Sequence, residues 1–124
     1  MPRGAFTFTE ESLGTVKVLN LYGKMVGGEE TQLMCNRIRE LLEENNKNFV
    51  LNFRNVKWIN STGIGSIIGC MTSLRNKGGD LRFTNVHDAA VKYFRITKLD
   101  SIIKIYNNLN EAVDSYHSDK KHIS

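Results

Sequence analysis

Hydrophobic and polar residues alternate along two segments near the N-terminus, a pattern that predicts a β-hairpin. Residues 5–10 place two phenylalanines on one face of a strand and two threonines on the other. Residues 16–22 alternate again after a turn at 11–14, and both of their faces carry apolar side chains. We therefore expect the second strand to lie inside a sheet, next to the first.

The next apolar residues recur with a period near 3.6, which predicts a helix. A glycine-punctuated loop precedes it, and Glu29 and Glu30 occupy the first turn, where the helix dipole favours acids. The apolar face consists of Leu33, Met34, Ile38, Leu41 and Leu42, and the helix should end near residues 44–46. The dense apolar run at 49–53 predicts a central strand, so this part of the chain forms a βαβ unit.

A second amphipathic helix follows a short connection at 55–59. Its apolar residues are Ile64, Ile67, Ile68, Met71 and Leu74, and the Gly78-Gly79 pair supplies a left-handed stop. The remaining patterns predict a strand at 81–84, a short helix at 88–95, a strand at 102–106 and a final helix begun by the cap pair Asn108 and Glu111.

These elements predict one α/β domain. We expect a mixed sheet of about five strands with about four α-helices, mostly on one side of the sheet. The domain covers residues 1–117 of the 124, and a polar C-terminal tail covers 118–124. Cys35 and Cys70 fall in apolar patterns, which indicates two buried thiols.

Composition narrows the functional classes. The N-terminus has no apolar signal region, and no apolar run approaches the roughly 20 residues of a membrane span, so we expect a cytoplasmic protein that does not enter the membrane. The formal net charge is +4, but the basic residues are scattered along the chain. Scattered bases are typical of a solvated surface, and we expect no direct binding of nucleic acid.

Catalytic and cofactor motifs do not emerge from the sequence. Of the three histidines, His117 and His122 lie in or near the tail, far along the chain from His87, and no pair of carboxylates falls at neighbouring strand ends. The glycines at 63, 65 and 69 are spaced G-x-G-x-x-x-G, one residue too long for a dinucleotide loop. The sequence therefore predicts no enzyme, no catalytic residue, no cofactor and no metal site.

The head of the second helix is the remaining candidate. Backbone N–H groups at Ser61, Thr62 and Gly63 lack partners within the helix, and the dipole places partial positive charge there. Such a terminus suits a phosphate, either free or attached to a serine. On the local pattern alone, a plain helix cap by Ser61 or Thr62 is favoured over a phosphate site, and such a cap would contribute about 1 kcal/mol.

Several short motifs in this order resemble the STAS domain, in particular the bacterial anti-sigma factor antagonists. They are V-L-N-F at 50–53, Val56, W-I-N-S-T-G-I-G at 58–65, K-G-G-D-L at 77–81 and F-R-I-T-K-L at 94–99. The resemblance covers residues 5–115, and the combination is more specific than any one piece.

The resemblance implies a phosphorylation switch at Ser61. In the family, the unphosphorylated serine form binds an anti-sigma factor that is also a serine kinase, which frees the sigma factor, and a serine phosphatase resets the system. We expect a partner-binding surface made of Asn60, Ser61, Thr62, Gly63 and Ile64 together with the loop from Lys24 and Met25 to Gly28, and Ile64 fits a place in the core equally well. We expect a monomer or a weak dimer.

Two positions depart from the family pattern. Well-studied members carry an aspartate before the serine, where this chain has Asn60, and an acidic pair where it has Lys24 and Met25. Two other functions stay open from the sequence. One is a constitutive scaffold subunit of a signalling complex in which Ser61 only caps a helix, and the other is a small-ligand or nucleotide-binding module.

Overall fold

Five strands and four α-helices form the part of the chain that the computed structural model describes, which is residues 6–123, with side chains to residue 117. The elements in chain order are β1 (Thr7–Leu13), β2 (Val16–Met25), α1 (Glu29–Glu43), β3 (Asn48–Ile59), α2 (Ser61–Asn76), β4 (Asp80–Thr84), α3 (Asp88–Ile96), a 3-10 helix (Leu99–Ser101), β5 (Ile105–Tyr106) and α4 (Leu109–Ile123). The sheet order is β1-β2-β3-β4-β5; β1 is antiparallel to β2, and the other neighbours are parallel. The predicted mixed α/β fold is confirmed.

The N-terminal hairpin is tighter than the sequence suggested. Strand β1 continues to Leu13, which pairs with Val16, so only two residues form the turn. Gly14 makes this possible because its φ of 63° lies in the left-handed region that other residues adopt only with strain. The predicted turn at 11–14 is therefore mostly strand, and residue 5 lies outside the described residues.

Strand β3 includes the stretch predicted as a connection. It pairs with β2 along its whole length, past register shifts near Asn20/Tyr22 and Gly23/Lys24, until Met25 lies opposite Ile59. Residues 55–59 remain extended because pairing with the long β2 provides hydrogen-bond partners for their backbone groups. The strand delivers the chain directly to the start of α2.

Helices cover both faces of the sheet, three on one face and one on the other, which agrees with the expectation of helices mostly on one side. Helices α1, α2 and α3 pack on the face that carries Leu19, Leu51 and Phe83. Helix α4 packs on the opposite face through Ala112 and Tyr116, against the alternate strand residues Val16, Val18 and Val50. A second helical layer is needed because β2 and β3 are apolar on both faces.

The buried stripe of α1 is rotated slightly from the predicted one. Leu33 is exposed, whereas Thr31 and Cys35 are buried beside the expected Met34, Ile38 and Leu41. Helix α1 packs against α2 as well as the sheet, and this second neighbour moves the buried face toward Cys35. Cys35 and Cys70 are both buried free thiols, as predicted.

The C-terminal elements also differ in extent. Strand β5 has two residues, because the chain leaves the 3-10 helix through a turn at Ile102, where the N–H groups of Ile102 and Ile103 both donate to Leu99 O at 3.0 Å. The predicted cap of α4 is present, with Glu111 N–H donating to Asn108 Oδ1 at 2.9 Å. Helix α4 runs through residue 123, so most of the segment assigned to a tail continues this helix.

Candidate partner-binding site at the head of helix α2

Asn60 is the residue that caps α2. Its backbone is extended (φ −116°, ψ 177°), and its Oδ1 accepts a hydrogen bond from Gly63 N–H at 2.9 Å. Its backbone carbonyl accepts from Ile64 N–H at 3.0 Å, and its own N–H donates to Met25 O at 3.2 Å. The cap interpretation of Ser61 or Thr62 is therefore wrong, because the chain turns into the helix one residue earlier.

Ser61 is the first helical residue, and its side chain is exposed. Neither its hydroxyl nor the N–H groups of Ser61 and Thr62 have a hydrogen-bond partner among residues 6–123. The first turn of α2 contains no acidic residue. The helix head thus presents a free hydroxyl beside two free donors and the positive end of the helix dipole.

The loop after β2 packs directly on this helix head. Gly27 has a φ of 87°, and a Cβ at this position would lie 2.7 Å from Thr62 Cγ2. Gly63 lies under the Met25 backbone, where a Cβ would come within 2.9 Å of the Met25 carbonyl carbon. The two segments that the sequence assigned to one partner surface are therefore in contact.

The predicted partner-binding residues divide into an exposed and a buried set. Ser61, Thr62 and Lys24 are exposed, and Asn60 is partly exposed. Met25 is fully buried, Gly63 is buried, and Ile64 is 7% exposed within the main core. Met25 and Gly63 correct the sequence-based surface, because they support it from beneath and present no side chain to a partner, whereas the small exposed part of Ile64 lines an apolar groove beside Ser61.

An apolar groove beside Ser61 was not expected from the sequence. It encloses about 420 Å³ between the end of β3, the head of α2 and helix α3. The lining includes Trp58 and Tyr93, which are 58% and 40% exposed, together with Ile59, Ala90, Asn60 and Ser61. The sequence offered one signal, a tryptophan in a supposed connection, but the groove depends on how α3 packs across the sheet.

Other kinds of site find no support in the described part of the chain. Among these residues, no group of three or more His, Cys, Asp or Glu side chains is placed to hold a metal ion. None of the described helices combines the length and the apolar character that crossing a membrane would require.

The chain is a small α/β domain in which strand β3 leads directly into helix α2. Asn60 caps the start of this helix, and the Ser61 hydroxyl beside it has no hydrogen-bond partner in the described part of the chain. The family model for the STAS domain matches residues 9–112. The chain belongs to the STAS domain family.

Relatives within this family share limited identity with the chain. A Thermotoga neapolitana protein, whose name assigns it to the anti-sigma factor antagonists, is 28% identical over 75 residues, which are 60% of this chain and 66% of the relative, just under two thirds of its length. The anti-sigma-B factor antagonist of Staphylococcus aureus is 26% identical over 88 residues, which are 68% of this chain and 82% of that protein.

The fold is also that of a solved antagonist structure. The phosphorylated form of the Bacillus cell fate determinant SpoIIAA has a TM-score of 0.68 and 20% identity, covering 89% of this chain and 99% of that one. At this identity the likeness establishes the fold.

Proposed function

We propose that this chain is an anti-sigma factor antagonist that regulates transcription as a cytoplasmic, phosphorylation-controlled switch. In this proposal its unphosphorylated form sequesters an anti-sigma factor that is also the serine kinase for Ser61, and a serine phosphatase restores that form. The observation that carries the proposal is the exposed Ser61 hydroxyl, which has no partner in the described chain and stands first in a helix that Asn60 already caps. The chain contributes binding and no catalytic step of its own.

A phosphate on Ser61 should leave the fold intact. It adds about two negative charges next to the free N–H groups of Ser61 and Thr62, at the end of α2 where the dipole favours an anion. Asn60 adds no negative charge beside it, unlike the aspartate of the family pattern, so the local repulsion is smaller. Stability should stay near that of the unmodified protein.

The same phosphate should disfavour a partner that docks over the helix head. A docked partner would have to desolvate the phosphate, which is costly unless it brings a matching cation. The partner surface consists of the exposed side chains of Asn60, Ser61, Thr62 and Lys24. Met25 and Gly63 act indirectly, by holding this surface in place, and Ile64 lines the apolar groove beside it.

The test combines partner retention with stability. Wild type, Ser61→Ala and Ser61→Asp are used to capture partners from extract of the native cell, and intact mass reports whether Ser61 carries a phosphate there. We expect wild type and Ser61→Ala to retain an anti-sigma factor kinase, and Ser61→Asp to retain it less well because it carries part of the phosphate charge.

Unfolding measurements separate the switch from helix capping. Ser61→Ala should change the free energy of unfolding by no more than about 0.5 kcal/mol, because its hydroxyl makes no bond in the described structure. Asn60→Ala, the matched control, should lose about 1 kcal/mol with the cap. Equal retention by all three Ser61 forms, with no phosphorylated fraction, would reject the switch in favour of a constitutive scaffold subunit.

A further inference from the structure

The groove beside Ser61 leaves two aromatic side chains largely in water. Trp58 at the end of β3 and Tyr93 on α3 are 58% and 40% exposed, and Ile59 and Ala90 form part of the wall near them. Large aromatic side chains in a concave apolar site are the anchors that dominate protein–protein binding energies. Asn60 and Ser61 line the same groove, so it is continuous with the proposed switch surface.

The side chains at this groove that can carry a charge near neutral pH are basic, with no acidic side chain among its described lining residues. Lys57 and His87 are its basic lining residues, and no carboxylate lines it within the described chain. Lys24 is the register partner of Trp58 on the neighbouring strand. Neither Lys24 nor Lys57 forms an ion pair with a side chain of residues 6–117, and Asp88 lines a separate polar cleft.

We propose that this groove receives an apolar side chain from an acidic, amphipathic segment of the partner, with carboxylates of that segment facing Lys24 and Lys57. The apolar anchor follows from the groove lining, and the acidic flanks follow from charge complementarity with two lysines that have no ion-pair partner in the described chain. This inference rests on the proposed function only for the existence of a protein partner. It adds the chemistry by which that partner is recognised.

The arrangement also explains how a phosphate at Ser61 would act on the partner. A phosphoserine at the rim of the groove repels the carboxylates of the incoming segment and competes with them for the same lysine side chains. Both effects weaken binding without any change in the fold. The loss should be greatest at low salt, since screening reduces the interaction of exposed charges.

A selection experiment with random peptides tests the inference while the partner is unidentified. A displayed library of random 12-residue peptides is panned against the full chain, and enriched peptides are synthesised and titrated while the fluorescence of Trp58, the single tryptophan, is followed. We expect enriched peptides to carry a large apolar residue flanked by Asp or Glu and to shift the Trp58 emission to shorter wavelength. A matched peptide with Lys in place of the acids should bind at least about tenfold more weakly.

Four variants locate the binding, with the selected peptide labelled so that affinity is read by fluorescence polarisation. Trp58→Ala and Lys57→Glu should each weaken binding about tenfold or more. Tyr22→Ala, an exposed aromatic outside the groove, and Lys47→Glu, an exposed lysine ahead of β3, should not. No enriched peptide, enrichment of basic peptides, or binding that survives both groove variants would overturn the inference.

The two proposals fail in different ways. Acidic peptides that occupy the groove equally well in wild type and Ser61→Asp would keep the groove as a docking site and count against the switch. A partner retained by wild type and Ser61→Ala but lost by Ser61→Asp, and unaffected by Trp58→Ala and Lys57→Glu, would keep the switch and reject the groove.

Discussion

Gly63 sets how closely helix α2 approaches the end of strand β2. A Cβ at this position would collide with the Met25 carbonyl group and lie 3.0 Å from Met25 Cγ. Met25 O also accepts the hydrogen bond from Asn60 N–H, so the same carbonyl orients the capping residue. The glycine in the S-T-G-I-G motif is therefore a packing requirement of the site, and no catalytic or phosphate-loop role is needed to explain it.

This contact gives a prediction at the residue scale. Gly63→Ala should lower the free energy of unfolding by about 1 to 3 kcal/mol, because a backbone group must move to admit the methyl group. Gly65→Ala is the matched control, since a Cβ there meets nothing within 4 Å. The control should gain about 0.5 to 1 kcal/mol from the better helix propensity of alanine. Urea unfolding of both variants measures the difference, and similar effects of the two would contradict the packing argument.

At the scale of elements, one buried hydroxyl links helix α4 to strands β3 and β4 of the sheet. Tyr116 Oη donates to Phe49 O at 2.7 Å, accepts from Phe49 N–H at 3.2 Å and lies 3.0 Å from Asp80 O. Burial raises the pKa of this phenol, which therefore stays protonated and able to donate. The Arg82 guanidinium also lies over the Tyr116 ring, with Arg82 Cζ 3.9 Å from the ring centroid.

We expect Tyr116→Phe to destabilise the protein by about 0.5 to 1.5 kcal/mol, because it removes the hydrogen bonds that this buried hydroxyl makes with backbone groups of β3 and β4. Tyr106→Phe is the control: this side chain is half-buried, and no hydrogen bond of its hydroxyl is seen in the described residues. Thermal unfolding of both variants provides the measurement. A Tyr116→Phe midpoint equal to that of the control would show that the hydroxyl does not hold α4.

The sequence predicted elements best where the signal is local. The apolar period of α2 and the Gly78 stop at φ 88° were readable because residues three and four apart define the helix face. The length of β3 was not readable, since residues 55–59 remain extended only through pairing with β2. The second layer under α4 and the groove at Trp58 depend likewise on packing between segments distant in the chain.

For the site, the sequence located the residues but did not show which of them caps the helix, which are exposed and which are buried. The motif around Ser61 and the loop at Lys24 were identified, and the structure places them in contact. Which residue caps the helix was decided by the backbone of Asn60, and burial removed Met25 from the surface and left Ile64 exposed only along the groove. The hydrophobic pattern of a sequence does not fix the start of a helix to within one residue, and it does not determine the exposure of a single side chain.

At the scale of the whole molecule, Asp80 connects four parts of the fold. Its Oδ1 accepts from Arg75 Nε of α2 at 2.8 Å, and its Oδ2 accepts from Arg82 Nε at 3.2 Å. Arg75 Nη1 also donates a hydrogen bond to Ile102 O at 2.7 Å, and Arg82 Nη1 donates one to Ser115 Oγ of α4 at 2.6 Å. One carboxylate at the start of β4 thus joins helices from both faces of the sheet.

This network predicts how stability depends on pH. Burial alone would raise the pKa of Asp80, but hydrogen bonds from Arg75, Leu81 N–H and Arg82 outweigh it and hold this pKa below its ordinary value. A carboxyl group whose pKa is lowered by folding stabilises the protein fully above the unfolded pKa of about 3.9, and that contribution is lost as the pH falls through the folded value. We therefore expect the free energy of unfolding to decline with acid from about pH 5 downward.

Asp80→Asn should cost about 1 to 3 kcal/mol at pH 7, because Arg82 is buried and loses the charge that faces it, and should flatten the decline below pH 5. Glu10→Gln, which removes a more exposed pair with Arg37, should leave most of the decline in place, since solvent screens that pair. Urea unfolding from pH 7 to pH 2.5 measures both, and an Asp80→Asn curve parallel to wild type in the acid range would show that the acid sensitivity arises elsewhere.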